Sequence, residues 1–239
     1  MLVKLGRTEE AISEAQQQMS TLGEAWALAQ ALRERGEFEQ ALEIAMQGLN
    51  LEGERKHQLA VWASELAEGM NDSAALQTRL AAFEIHPSLS DYLKLRELSG
   101  NQWDTLRQDL LSTLRQDSSN VHVRQKTAIL LEEGLIDDAI ASVDRLSSYQ
   151  SDIIHPVMDA AIAHRPEWVI QNARDRAESI MNEGKAQYYF YAINWLRRVR
   201  AAYLQLGRSE EWKRYRTDLL QTHTRKRKLV ALLQQRDLV

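Results

Sequence analysis

One position recurs along this chain and limits its fold more than any other feature: a glycine with a buried-type residue five places on. It stands in Leu5-Gly6-Arg7-Thr8-Glu9-Glu10-Ala11-Ile12, Arg35-Gly36-Glu37-Phe38-Glu39-Gln40-Ala41-Leu42, Glu133-Gly134-Leu135-Ile136-Asp137-Asp138-Ala139-Ile140 and Leu206-Gly207-Arg208-Ser209-Glu210-Glu211-Trp212. Looser copies start at Gly69, with Ala74 five on, and at Gly100, with Thr105. His164, followed by Pro166-Glu167-Trp168, fills a seventh place. Successive spacings are 30, 33, 31, 34, 30 and 43 residues, so six of the ten glycines mark one place in a repeat. A period of this length is a supersecondary unit that cannot bury its apolar face alone and must stack on its neighbours.

The chemistry within a unit explains the pattern. Glycine takes positive φ cheaply, so it ends one helix and lets the chain reverse. Acidic residues follow in the first turn of the next helix, where they meet the positive end of its dipole. Apolar residues then continue at helical spacing: Leu42, Ala45, Met46 and Leu49 in one unit, Ile140, Val143 and Leu146 in another. No run of alternating β-branched residues competes with this reading.

Gly36–Leu42 and residues 6–12 resemble the turn and second helix of a tetratricopeptide repeat; the middle units diverge from that pattern. The resemblance implies an all-α chain, an α-solenoid of tetratricopeptide-like antiparallel helix pairs with about 12–14 helices, two per ~34-residue unit. Residues 1–160 form the repeats, and residues 161–239 form an aromatic and basic C-terminal helical cap continuous with the array. Gly6, Gly36, Gly69, Gly100, Gly134 and Gly207 are expected at turns. Only five residues precede Gly6, against the ~12–14 of a first helix. The chain therefore reads as a truncated product or, the preferred reading, as a portion of a longer protein.

Composition excludes several chemistries. With no cysteine, the chain has no disulfide, no thiol nucleophile and no cysteine-ligated metal. No apolar run reaches the ~18–20 residues that span a bilayer, and MLVKLGRTEEA holds no apolar signal core, so a cytoplasmic protein is expected. His57, His86, His122, His155, His164 and His223 lie too far apart for a local metal motif and read as surface or helix-end residues. Glu9-Glu10 and Asp137-Asp138 read as dipole-complementing pairs, not as acid–base pairs. Gly184-Lys185 lacks the rest of a phosphate loop, and no G-x-S-x-G or G-x-G-x-x-G is present. The expectation is no enzyme, no metal and no cofactor.

Charge and aromatics are segregated. Residues 185–239 hold 13 Lys and Arg against 4 Asp and Glu, and residues 1–184 hold 17 against 30, so +9 and −13 make up the net −4. The basic end also holds eight of the 16 aromatics, interleaved with Arg197, Arg198, Arg200, Lys213, Arg214, Arg216 and the run Arg225, Lys226, Arg227, Lys228. Tyr188, Ala192, Trp195, Val199, Ala202, Tyr203 and Leu206 fall on one helix face, and Trp212, Tyr215 and Leu219 on a second. Most of these aromatics therefore read as core, with Trp195, Tyr203 and Trp212 packed together. That leaves Arg197, Arg198, Arg200, Arg214, Arg216 and Arg225–Lys228 as the candidate contact surface for an anion or a partner.

Within this region Pro166-Glu167-Trp168-Val169-Ile170, Gly184-Lys185, Tyr188, Ala192, Trp195-Leu196, Ala201-Ala202-Tyr203, Gly207, Glu211-Trp212, Tyr215, His223, Lys226 and Lys228-Leu229 resemble the C-terminal end of bacterial SWIM zinc-finger proteins. The likeness covers roughly residues 160–235. It implies a helical-repeat region that follows a zinc-binding element of the C-x-C…C-x-H type and contacts DNA or proteins. Without cysteine the zinc element is absent here, so neither zinc nor finger-dependent DNA binding carries over. Two functions follow as expectations. The first is a non-enzymatic repeat scaffold for a protein or peptide partner. The second is a nucleic-acid-associated module whose basic end binds weakly, electrostatically and without sequence preference.

Overall fold

A computed structural model describes Ser13, residues 19–117, residues 121–235 and Leu238. The described residues form thirteen α-helices and no strand. They are α1 (Leu22–Glu34), α2 (Phe38–Gly48), α3 (Lys56–Ala67), α4 (Asp72–Ile85), α5 (Leu89–Ser99), α6 (Trp103–Gln116), α7 (Val123–Glu132), α8 (Ile136–Val143), α9 (Ser151–Ala161), α10 (Pro166–Asn182), α11 (Tyr189–Gln205), α12 (Ser209–Thr222) and α13 (Arg227–Leu233). Short 3-10 turns precede α6, α9 and α11.

The repeat is visible in the backbone. Gly36, Gly69, Gly100, Gly134 and Gly207 all have positive φ, and each lies in the turn between two helices. Gly6 lies outside the described residues. At three of the turns the same paired bonds close the helix. Glu37 N–H reaches the Leu32 carbonyl and Gly36 N–H the Arg33 carbonyl; Leu135 with Leu130 and Gly134 with Leu131, then Arg208 with Tyr203 and Gly207 with Leu204, repeat it. This pair of hydrogen bonds requires a left-handed residue at its hinge, hence the glycine. His164 occupies a turn as expected, without positive φ. The residue five places on is buried at Ala41, Ala74, Ala139, Val169 and Trp212.

Two details differ from the sequence reading. Thr105 is exposed, because a 3-10 turn over Gly100–Gln102 delays α6 and shifts its buried face to Leu110, Leu111 and Leu114. Gly184, which lies outside the recurring glycine series, is a sixth positive-φ glycine and follows the end of α10.

The chain divides into two compact units, Met1–Ile129 and Leu130–Val239. In the first, α1 packs on α2, α3 on α4 and α5 on α6, with α2 also against α3 and α4 against α5. Its core is rich in alanine (Ala25, Ala29, Ala41, Ala45, Ala63, Ala67), which lets helices approach closely. At Gly48 the approach is close enough that an added Cβ would stand 2.6 Å from that of Ala25. In the second unit α8 packs on α9, α10 on α11, and α11 on both α12 and α13. Its core holds Ile154, Met158, Val169, Ala173, Trp195 and Leu196. Consecutive turns are tied by ion pairs in equivalent places. Asp137, three residues after Gly134, takes a two-pronged bond from Arg165 (2.8 and 2.7 Å), and Glu167, three after His164, pairs with Arg208 at 2.8 Å.

Candidate interaction surface

The basic residues singled out by sequence do not form one open face. Helix α11 is packed on α10, α12 and α13, so few of its positions stay free. Arg198 is half-buried on Asp159 (2.8 Å) and the Asn194 carbonyl (3.0 Å). Arg197 is half-buried, bonds Asn194 and lies 6.0 Å over the Phe190 ring; Arg200 is half-buried as well. Arg216 donates to the Leu233 carbonyl at 2.9 Å, and Lys226 to the Met181 carbonyl at 2.7 Å. Arg214, Arg225, Arg227 and Lys228 are exposed.

Most of the aromatics in this region are core. Tyr189, Trp195, Tyr203, Trp212 and Tyr215 are buried. Trp195 packs edge-on against His155 at 4.3 Å, and Trp212 packs against Tyr215 and donates Nε1–H to the Leu238 carbonyl at 3.0 Å. The apolar face of α11 starts at Tyr189 instead of Tyr188, because residues 186–188 form a 3-10 turn. Phe190 and Tyr191 therefore point away from the core and are 53% and 49% exposed.

These two rings belong to a row that sequence reasoning missed. Tyr149, 69% exposed, lies 6.3 Å from Tyr188; Tyr188 lies 6.3 Å from Tyr191; and Tyr191 lies 6.3 Å from Phe190. Lys185 Nζ sits 5.9 Å over Tyr188 and pairs with Glu183 at 3.3 Å. Tyr149 and Tyr188 each stand in the 3-10 turn before the first helix of a repeat, α9 and α11. The first unit has its own row at the equivalent edge. His57 lies 5.7 Å from His86, and His86 lies 4.7 Å from His122, each near the start of α3, α5 or α7. The signal was the spacing: 29 and 36 residues separate the three histidines, close to the repeat.

His57 also belongs to a buried polar network. Asp91, 3% exposed, accepts from His57 Nε2 at 3.0 Å, Ser88 Oγ at 2.6 Å and Arg79 Nη1 at 2.9 Å. Arg79, 5% exposed, also donates Nε–H to Ser64 Oγ at 3.2 Å. Burial alone would raise the Asp91 carboxyl, but the Ser88, His57 and Arg79 bonds outweigh it and hold it below its ordinary value. The carboxylate is thus ionised and fully engaged, joining α3 and α4 to α5, which is a structural role. In the second unit burial and the Arg198 charge push the His155 imidazole down to about 4, so it is neutral at physiological pH.

Among the described residues no group of three His, Asp or Glu is placed to hold a metal ion, and the chain has no cysteine. The residues present do not fit the zinc element that the SWIM resemblance implies. Among the described residues no helix is long and apolar enough to cross a membrane.

No family model and no curated protein matches this chain.

Proposed function

We propose that this chain is a non-enzymatic helical-repeat scaffold that binds a protein or peptide partner, in the setting implied by its resemblance to the C-terminal region of SWIM zinc-finger proteins. The observation that supports the reading most is the return of a positive-φ glycine between helices at Gly36, Gly69, Gly100 and Gly134, 33, 31 and 34 residues apart, with ion pairs joining consecutive turns in the second unit. On this reading the antiparallel pairs stack as an α-solenoid, and a solenoid presents the same edge once per repeat as an extended binding surface. The row of exposed rings at the helix starts of the second unit is such an edge. A photo-crosslinking residue at Tyr191, with a second at Phe38 as a control site, tests the reading in an extract of the source cells. Captured proteins are then remade pure and titrated against the whole chain. A saturable, stoichiometric complex is expected; if no captured protein binds in purified form, the scaffold reading fails.

A nucleic-acid-associated role has one observation in its favour, the exposure of Arg225, Arg227 and Lys228. Such binding would be electrostatic and would weaken steeply between ~50 and ~200 mM salt. The same titration with labelled duplex and single strands, using the whole chain and a variant with Arg225, Lys226, Arg227 and Lys228 changed to alanine, tests it.

A further inference from the structure

The geometry points to the ring row of the second unit as a docking site for an extended, acidic peptide segment in which apolar side chains alternate with carboxylates; this rests on the scaffold reading and names its partner's chemistry.

The first argument is the spacing. Neighbouring rings in the row, Tyr149, Tyr188, Tyr191 and Phe190, stand 6.3 Å apart at every step. An extended chain rises ~3.3 Å per residue, so its alternate side chains recur about every 6.6 Å on one face. Each pair of neighbouring rings is therefore spaced to take two alternate side chains of an extended segment, with the intervening residue turned outward.

The second argument is charge. Lys226 Nζ holds the Met181 carbonyl in the last turn of α10. This brings the exposed Arg225, Arg227 and Lys228 to the end of α10 from which the loop bearing Lys185 and Tyr188 leaves. Helix α13, which Arg227 opens, packs on α11, whose first turn carries Phe190 and Tyr191. The acids at this end include Glu183, already on Lys185, and Asp152 in the first turn of α9. Lys185 and Arg197 over two of the rings, with further exposed cations at the end of α10 from which this loop leaves, suit a ligand with carboxylates between its apolar residues.

The third argument separates a peptide from a single-stranded nucleic acid. Bases stack on ring faces, and a platform for them presents its faces in common. Here consecutive rings are tilted by 78°, 50° and 70°. The faces of Tyr188 and Phe190 are approached by Lys185 and Arg197. The ring edges and the spaces between them suit aliphatic and aromatic side chains better than stacked bases.

The test uses the whole chain and three fluorescein-labelled probes: a twelve-residue peptide alternating leucine with aspartate, the same peptide with lysine in place of aspartate, and a twelve-nucleotide oligouridylate. Anisotropy is expected to give a micromolar Kd for the aspartate peptide and at least tenfold weaker binding of the other two. Tyr149→Ala with Tyr191→Ala, and separately Arg225→Glu with Lys228→Glu, should each weaken the aspartate peptide at least tenfold. All four residues are exposed, so circular dichroism should be unchanged, and Phe38→Ala in the first unit should leave binding as it was. Equal binding of the two peptides, stronger binding of the oligouridylate, or insensitivity to both variants would overturn the inference. A partner captured by the scaffold experiment that binds the Tyr149/Tyr191 variant normally would overturn this site alone and leave the scaffold reading intact.

Discussion

Replacing Asp91 by alanine should cost the first unit about 3–5 kcal/mol, the range for removing one partner of a buried ion pair. The substitution deletes three bonds at once, to Arg79, His57 and Ser88, and leaves the Arg79 guanidinium buried with only its Ser64 bond. Much of the cost is that stranded charge, so the remedy is specific. Arg79→Met combined with Asp91→Leu removes both charges and should recover about 2 kcal/mol or more relative to the sum of the single changes. The assay is urea unfolding followed by circular dichroism and tryptophan fluorescence, analysed for two transitions because the chain has two units. The acid limb gives an independent check. With its folded pKa below the ordinary 3.8, Asp91 contributes stability that is full above that value and disappears as pH falls through the folded one. Asp91→Asn should flatten that limb below about pH 4. A loss under ~1 kcal/mol in Asp91→Ala, or simple additivity in the double variant, would refute the claim that this network holds α3, α4 and α5 together.

Gly134→Ala places a side chain at φ +68° and should cost about 1–2 kcal/mol by chemical denaturation, although no atom would crowd the new Cβ. Trp212→Ala should cost ~3–5 kcal/mol through lost burial and the lost bond to the Leu238 carbonyl, and its unfolding midpoint reads this directly. His155 titrates near 6.5 when unfolded and near 4 when folded, so between those values the unfolded chain takes up a proton that the folded chain refuses. Stability of the second unit should therefore fall as pH drops from about 6.5 to 4, by at most ~3 kcal/mol and, because the ring is partly solvated, by about 1–2. Urea midpoints across that range should show the slope in the wild type and a reduced slope in His155→Asn.

The helices and their turns were legible in the sequence because their causes are local. A glycine at Gly36, Gly134 or Gly207 can adopt a backbone that other residues resist, and the bonds closing each turn span only six residues. The helical spacing of Ala192, Trp195, Val199 and Ala202 likewise identified the buried face of α11 from the chain alone. The period carried the repeat, except at Thr105, where an intervening 3-10 turn changed the phase.

Contacts between residues about one repeat apart were decided by the tertiary structure. Asp91 looked like an ordinary first-turn acid until folding set it against Arg79, twelve residues back, and His57, thirty-four back. Arg197, Arg198 and Arg200 looked exposed because a sequence does not tell which neighbours a helix has, and α11 packs on α10, α12 and α13 and also meets α9 through Trp195 and Arg198. Tyr149 and Tyr188 are separated by a whole helix pair, and only the return of the chain to the same edge brings their rings within 6.3 Å. Periodicity assigns a residue to a face of its own helix, whereas stacking decides what that face meets.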